Sequence, residues 1–315
     1  MIEQFAKDVD EGLSSTEKKL SSKYFYNKQG DELFVKIMNM PEYYLTRAEL
    51  EIFTEQTSQM IQHLELDHTR HFELIELGAG DGTKTKKLLA ALNAQGYRYD
   101  YIPIDISRNA VDTLADSIAT ELPNTSIKPQ HGDYFDCLHS LKNSHHPKVV
   151  LFLGSNIGNM PDNVAQQFLQ KLSNDLNTGD KLLLGVDLIK PASVIMPAYN
   201  DESGITRAFN INLLHRINNE LEATFNIEEF EHAPEYDEED GIAKSYLKSK
   251  SDQNVAIKAT GKVYQFSAGE KIHTEISRKY NDSIIDQIIT GTKLKLCEKM
   301  TDKKNYFADY ILSKK

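Results

Sequence analysis

Three glycines, Gly78, Gly80 and Gly82, alternate with other residues in "ELGAGDGTKT" (76–85), directly after the apolar run "FELIEL". Glycines at a strand end let backbone approach a bound cofactor closely, so the question is which cofactor. A phosphate-binding P-loop needs G-x-x-x-x-G-K-[ST], and the second glycine position from Gly78 is Thr83. A dinucleotide loop needs G-x-G-x-x-G. Gly78 and Gly80 match it, but the third glycine falls one residue early, at Gly82. Glu76 at the strand end would repel a diphosphate and suits a cofactor with a cationic head. S-adenosylmethionine has such a head, a sulfonium with an α-ammonium, and carries no phosphate. Its ribose diol asks for an acid at the end of the following strand, where "YIPIDIS" offers Asp105. Farther on, "HGDYFD" (131–136) places Asp133 and Tyr134 to flank an adenine. S-adenosylmethionine is therefore favoured, with a nicotinamide dinucleotide as the weighed alternative.

The elements that must position these residues follow from periodicity. The runs at 72–77, 99–107, 149–154 and 181–188 are short and apolar, as buried strands are. Between them, "KKLLAALNAQG" has helical spacing and stops on Gly96, and Ser107 caps a helix with its apolar stripe at Val111, Leu114, Ile118 and Leu122. A further helix has Pro161 near its start and Gly179 past its end. Alternating strands and helices predict an α/β fold, a Rossmann-like parallel sheet with helices on both faces and ligands at the carboxyl ends of the strands. The regular pattern stops near 190. "KPASVIMPAYNDESG" (190–204) reads as a connection, 205–232 as helical, and "YDEED" (236–240) as a solvated turn. "AKSYLKS" and "NVAIKATGKVYQF" alternate like antiparallel strands, and 293–315 reads as a hairpin that completes the main sheet. The expected domains are a core of 53–189 with 280–315, and an α+β substrate-binding domain of 1–52 with 190–279.

Bulk composition narrows the function. In 315 residues the formal net charge is −11, with no Lys/Arg cluster to outweigh it, so nucleic acid is not the expected partner. A small-molecule substrate is. Two cysteines, Cys137 and Cys297, neither staple a fold nor space a metal site, and Cys137, His131, His139, His145 and His146 lack tetrahedral-site spacing. No metal is expected. The N-terminus has no secretory pattern, and no apolar run is long enough to cross a membrane, so a cytoplasmic monomer is expected, with no membrane partner.

Six stretches together are similar to one family: "KYFYNKQGDELFVKIMNMPEYYLTRAE" (23–49), "ELGAGDGTKT", "YIPIDIS", "LFLGSNIGN" (151–159), "AYNDESGITRAFNINLL" (198–214) and "FSAGEKIHTEISRKY" (266–280). The chain resembles the S-adenosylmethionine-dependent L-histidine Nα-methyltransferases of ergothioneine biosynthesis, which trimethylate the α-amine of histidine to hercynine. The resemblance implies a class I methyltransferase sheet. It puts Gly78, Lys84, Asp105, Asp133 and Tyr134 on the cofactor positions. Tyr43, Asn159, Tyr199, Glu275 and Ser277 fall on the histidine-binding positions. Tyr26 and Phe34 fall near the reacting nitrogen and, with Asn159, form the implied catalytic set.

The chemistry of these residues agrees with those roles. On a strand, His273, Glu275 and Ser277 of "HTEIS" share a face. A carboxylate accepts from an imidazole N–H, and a hydroxyl serves the other ring nitrogen. Asn159 and Tyr199 can donate to a carboxylate. Aromatic rings suit an amine that ends as a quaternary cation. Two positions depart from the family: Ser245 stands where a methionine is usual, and Asn156 where a threonine is. A small residue at 245 would enlarge the side-chain pocket. The alternatives are therefore a sister enzyme acting on another amino acid, such as a tryptophan derivative, a non-catalytic cofactor-binding module, or a nicotinamide oxidoreductase. An indole has no second ring nitrogen, so Glu275 with Ser277 favours histidine.

Overall fold

The computed structural model describes residues 2–132, 134, 137 and 144–315. The chain enters its first strand, β1, at Phe72–Leu77 and continues through β2 (Tyr99–Asp105), the short β3 (Ser126–Ile127) and β4 (Gln130–His131), β5 (Lys148–Phe152) and β6 (Lys181–Asp187). A second set follows: β7 (Phe230–His232), β8 (Glu235–Asp237), β9 (Ile242–Ser249), β10 (Gln253–Ile257), β11 (Lys262–Phe266) and β12 (Lys271–Arg278). The last two strands are β13 (Leu294–Thr301) and β14 (Phe307–Lys314).

The chain divides into two compact units, Leu45–Ile189 with Arg278–Lys315, and Met1–Tyr44 with Lys190–Ser277. The first, the core unit, holds a sheet in the order β13-β14-β6-β5-β1-β2-β3, with β4 also pairing β2. The pairs β1–β2, β1–β5 and β5–β6 are parallel, while β14 runs antiparallel to both β6 and β13. This is the expected α/β class with helices on both faces. Ile75, Leu77, Val150, Phe152, Leu182 and Leu184 pack with the helices Asp162–Asp175 and Asp282–Ile289 on one face. On the other, Leu74, Tyr101, Leu151 and Leu183 pack with the helices Leu45–Glu55, Thr57–Leu64, Thr85–Ala94 and Arg108–Glu121. Strand order reverses between β1 and β5, and the loops after those two strands flank the crevice where such sheets take ligands.

The core unit begins at Leu45 rather than at residue 53. The helix Leu45–Glu55 carries Ala48, Ile52 and Phe53 into the sheet's core, which commits its whole length to that unit.

The second, or N-terminal, unit is α+β. Its four-stranded sheet runs β12-β9-β7 with β8 pairing β9, and β10–β11 form a hairpin. Phe5, Leu13, Phe25, Leu33, Phe209 and Leu214 join Phe230, Leu247 and Phe266 in one core. Three expectations change here. Residues 190–204 contain a helix, Ala192–Tyr199, started by Pro191 and carrying Pro197 inside it. The helix expected over 205–232 stops at Leu221. Glu222 ends it with left-handed backbone, φ 50°, and Asn218 clamps the chain beyond, its side chain accepting from Phe225 N–H and donating to Phe225 C=O. The segment 230–232 then pairs with β9, and of the expected turn 236–240 the first two residues belong to β8 while 238–240 form the turn. No helix among the described residues is long and apolar enough to cross a membrane.

Candidate functional site

The loop after β1 is built from left-handed backbone. Gly78, Gly80 and Gly82 have φ of 72°, 54° and 65°. That region favours glycine, which has no Cβ to clash there. Each does something different. Gly78 N–H donates to Ile104 C=O at 2.8 Å, which ties the loop beside Asp105. A Cβ on Gly78 would stand 2.8 Å from the Tyr134 hydroxyl and 3.1 Å from Asn156 Nδ2. A Cβ on Gly82 would meet Leu114 Cδ1 at 2.5 Å, so this glycine allows the close approach of the helix Arg108–Glu121. At Gly80 nothing stands within 4 Å of such a Cβ, and the loop is open there.

Glu76 does not play the part expected of it. It is 2% exposed, accepts from Tyr101 Oη at 2.5 Å and from Thr85 Oγ1 at 2.7 Å, and so holds strand to helix below the loop. Burial raises its carboxyl to about 7, against the pull of those two hydrogen bonds. Alternation along β1 puts Glu76 on the face of Leu74, with Tyr101. Lys84 pairs with Glu49, a residue that sequence reasoning passed over.

Asp105 ends β2 and accepts from Ser107 N–H at 2.9 Å, while Ser107 caps the next helix through Ala110 N–H at 3.2 Å. Asp105 thus serves as a turn residue whatever else it binds. Tyr134 is half-buried with its ring against Phe152, centroids 6.0 Å apart. Asp133 lies outside the described residues, as does His139. After β5, Gly154 has φ of 70° and the non-glycine Ser155 has φ of 59°. Ser155 Oγ accepts from Asp187 N–H at 3.0 Å, one of the bonds that hold it in this uncommon region. Asn156 brings its Nδ2 towards Gly78 and Gly154, and Asn159 ends the same 3-10 turn, exposed.

In the N-terminal unit the structure makes two pairs. Tyr199 Oη donates to Ser277 Oγ at 2.7 Å, and Ser245 Oγ donates to Glu275 Oε2 at 3.3 Å. Glu275 is half-buried and Ser277 is buried, two residues apart on β12. His273, expected on the same face, packs on Tyr246 with centroids 5.3 Å apart and takes no part in either pair. Tyr26 and Phe34 meet edge to face, centroids 5.7 Å apart, and both lie near Phe209. Tyr26 is 41% exposed. Tyr43 packs against the unit's aromatic core. The stretch "NDESGITRAF" proves structural at Asp201, which receives hydrogen bonds from Ser203, Ile205 and Thr206. Burial opposes its ionisation, but these bonds outweigh that and hold it at about 2.

Residues 5–314 match the family described as "Histidine-specific methyltransferase, SAM-dependent". The chain is 33% identical to the Histidine N-alpha-methyltransferase of Mycobacterium tuberculosis, covering 98% of this chain and 94% of that one. It is 34% identical to the protein of the same name from Mycolicibacterium smegmatis, over 88% and 85% of the two chains. This chain belongs to the S-adenosylmethionine-dependent histidine-specific methyltransferases. The Ergothioneine biosynthesis protein 1 of Schizosaccharomyces pombe is 29% identical over 94% of the chain, which spans 39% of that longer protein.

The methyltransferase's core unit fits its cofactor. Gly78 lets the Tyr134 hydroxyl and Asn156 Nδ2 close over the loop, Gly80 opens outward, and Lys84 is engaged by Glu49 rather than held ready for a phosphate. Among the described residues no three His, Cys, Asp or Glu side chains gather as metal ligands.

Proposed function

We propose that this methyltransferase converts L-histidine to hercynine by trimethylating its α-amine, the opening step of ergothioneine biosynthesis. The observation that carries this reading is the pair of polar groups two residues apart on β12: the Glu275 carboxylate, and the Ser277 hydroxyl, which accepts from Tyr199 at 2.7 Å. With Tyr199 donating to it, Ser277 is set to donate its own proton onward, while Glu275 accepts. One donor beside one acceptor is the complement of a neutral imidazole, which has one N–H and one bare nitrogen.

Bound S-adenosylmethionine supplies an electrophilic methyl group on its sulfonium. The chain's own residues would do the rest. Gly78, Asp105, Asp133, Tyr134 and Lys84 would line the cofactor. Tyr43, Asn159 and Tyr199 would bind the amino acid, with Asn159 on its carboxylate and Tyr199 acting on the imidazole through Ser277. The Tyr26 and Phe34 rings would surround the nitrogen with π-faces, which tolerate an amine that loses its N–H groups and becomes cationic. A pocket that relied on accepting hydrogen bonds from the amine would reject the dimethylated form.

The test is to incubate the protein with S-adenosylmethionine and a mixture of amino acids and follow mono-, di- and trimethylated products by mass. Trimethylated histidine is expected. Methylation of another amino acid with histidine untouched would overturn the reading.

A further inference from the structure

The two cofactor loops share one buried acid. Glu49, in the helix Leu45–Glu55, is 1% exposed. Its Oε1 and Oε2 lie 2.9 and 3.1 Å from the Gly154 nitrogen and accept its N–H, and Oε2 also pairs with Lys84 Nζ. One carboxylate therefore ties the start of the helix after the glycine loop to the loop after β5. Gly185 makes room for it, since a Cβ there would collide with Glu49 Oε1 and stand 3.0 Å from Asp309 Oδ1.

The charges around it are uneven. Asp309 is fully buried, and neither of its oxygens has a hydrogen-bond partner. Burial, and then the charge of Glu49, push its carboxyl well above the ordinary range, which favours its neutral form. Burial works against the Lys84 ammonium, but Glu49 outweighs it and keeps the lysine charged. In this cluster Glu49 is the anion in direct contact with Lys84, and Glu76, whose carboxyl is raised to about 7, adds a weaker pull. An unpaired ammonium in that place would add to a cofactor that already carries a sulfonium and an ammonium against one carboxylate, in a medium that screens poorly.

We propose that Glu49 is the positioning residue of the cofactor pocket: it fixes Lys84 and the Gly154 amide together, and it cancels the lysine's charge so that the pocket admits a sulfonium. The proposal rests on the family's cofactor and not on the identity of the amino acid. It is tested without any amine substrate, so failure of the histidine reading leaves it standing. The full chain is titrated calorimetrically with S-adenosylmethionine and, separately, with S-adenosylhomocysteine, the neutral thioether. Glu49→Gln keeps an acceptor for Gly154 and removes the charge. The dissociation constant for the sulfonium should rise about tenfold or more, while that for the thioether rises less than about threefold. Equal losses for both ligands would mean that Glu49 is only structural, and no loss for either would also overturn the proposal. Because a lone buried ammonium endangers folding, the double variant Glu49→Gln/Lys84→Met removes both charges. It should return the ratio of the two constants to within about threefold of the unsubstituted protein, and a ratio that stays skewed would refute the charge-cancelling role.

Discussion

The glycine loop of the core unit and strand β12 of the N-terminal unit, the proposed sites for the cofactor and for histidine, are built in opposite ways. The loop works through backbone: three left-handed glycines, an amide tied to Ile104 and space left by missing side chains. Strand β12 works through side chains, each paired to a residue far away in sequence, Ser277 to Tyr199 and Glu275 to Ser245. Backbone recognition is set by local conformation and by where the strand ends. Side-chain recognition is set by which distant segments the fold brings together. The two regions should therefore fail differently when changed.

The largest effect is expected at the loop. Gly78→Val puts a β-branched residue at φ of 72° and a Cβ 2.8 Å from the Tyr134 hydroxyl. A β-branched side chain is a steric outlier in that region. Strain should cost the fold about 1 to 3 kcal/mol, and the displacement of Tyr134 and Asn156 from the loop should lower S-adenosylmethionine affinity by more than about a hundredfold. Titration of the same variant with histidine should show a change below about threefold. A comparable loss of histidine binding would break the contrast between the regions.

Glu275→Ala comes next. Removing a charged hydrogen-bond acceptor should weaken histidine binding by about ten- to a hundredfold, with S-adenosylmethionine binding within about twofold of the parent. Calorimetry with each ligand alone checks it. Equal losses would show that β12 supports the cofactor as well.

The third effect concerns stability and pH. Glu76 has a folded pKa of about 7 against an ordinary value of 4.5. A carboxyl raised in the fold stabilises below the unfolded pKa, and that contribution is lost as pH rises towards 7, the reverse of a salt-bridged acid. Glu76→Gln should remove roughly 2 to 3 kcal/mol of this decline between about pH 4.5 and 7. Thermal melting across that range measures it, and an unchanged slope would mean that Glu76 stays ionised in the fold. The smallest effect is Tyr199→Phe, which loses one neutral hydrogen bond to Ser277 and should raise the histidine constant about threefold. No change at all would detach Tyr199 from the imidazole's donor pattern.

Much of the core was readable in advance because its signals are local. β1 begins and ends at the expected residues, and Ser107 caps its helix through Ala110 as its position suggested. Helix Ala192–Tyr199 was hidden by two prolines that usually break helices. One of them sits just before the first turn, where a proline's missing N–H costs nothing. Glu49 was hidden for another reason. In "TRAELEIF" it looks like an ordinary charge on a helix surface, and only the β5 loop and Lys84, remote in sequence, reveal it as buried.

Sequence alone determined the strand–helix alternation, the glycines with their left-handed demand, and a sulfonium rather than a phosphate as the cofactor's charged centre. It reached that last point through Glu76, which the fold turns inward to Tyr101 and Thr85. Tertiary structure decided which acid lies beneath the loops, Glu49, and which partners β12 receives, Tyr199 and Ser245. The physical reason is range. Backbone conformation and periodic burial are set by neighbours along the chain, whereas charge pairing and desolvation depend on atoms that only folding brings within a few ångströms.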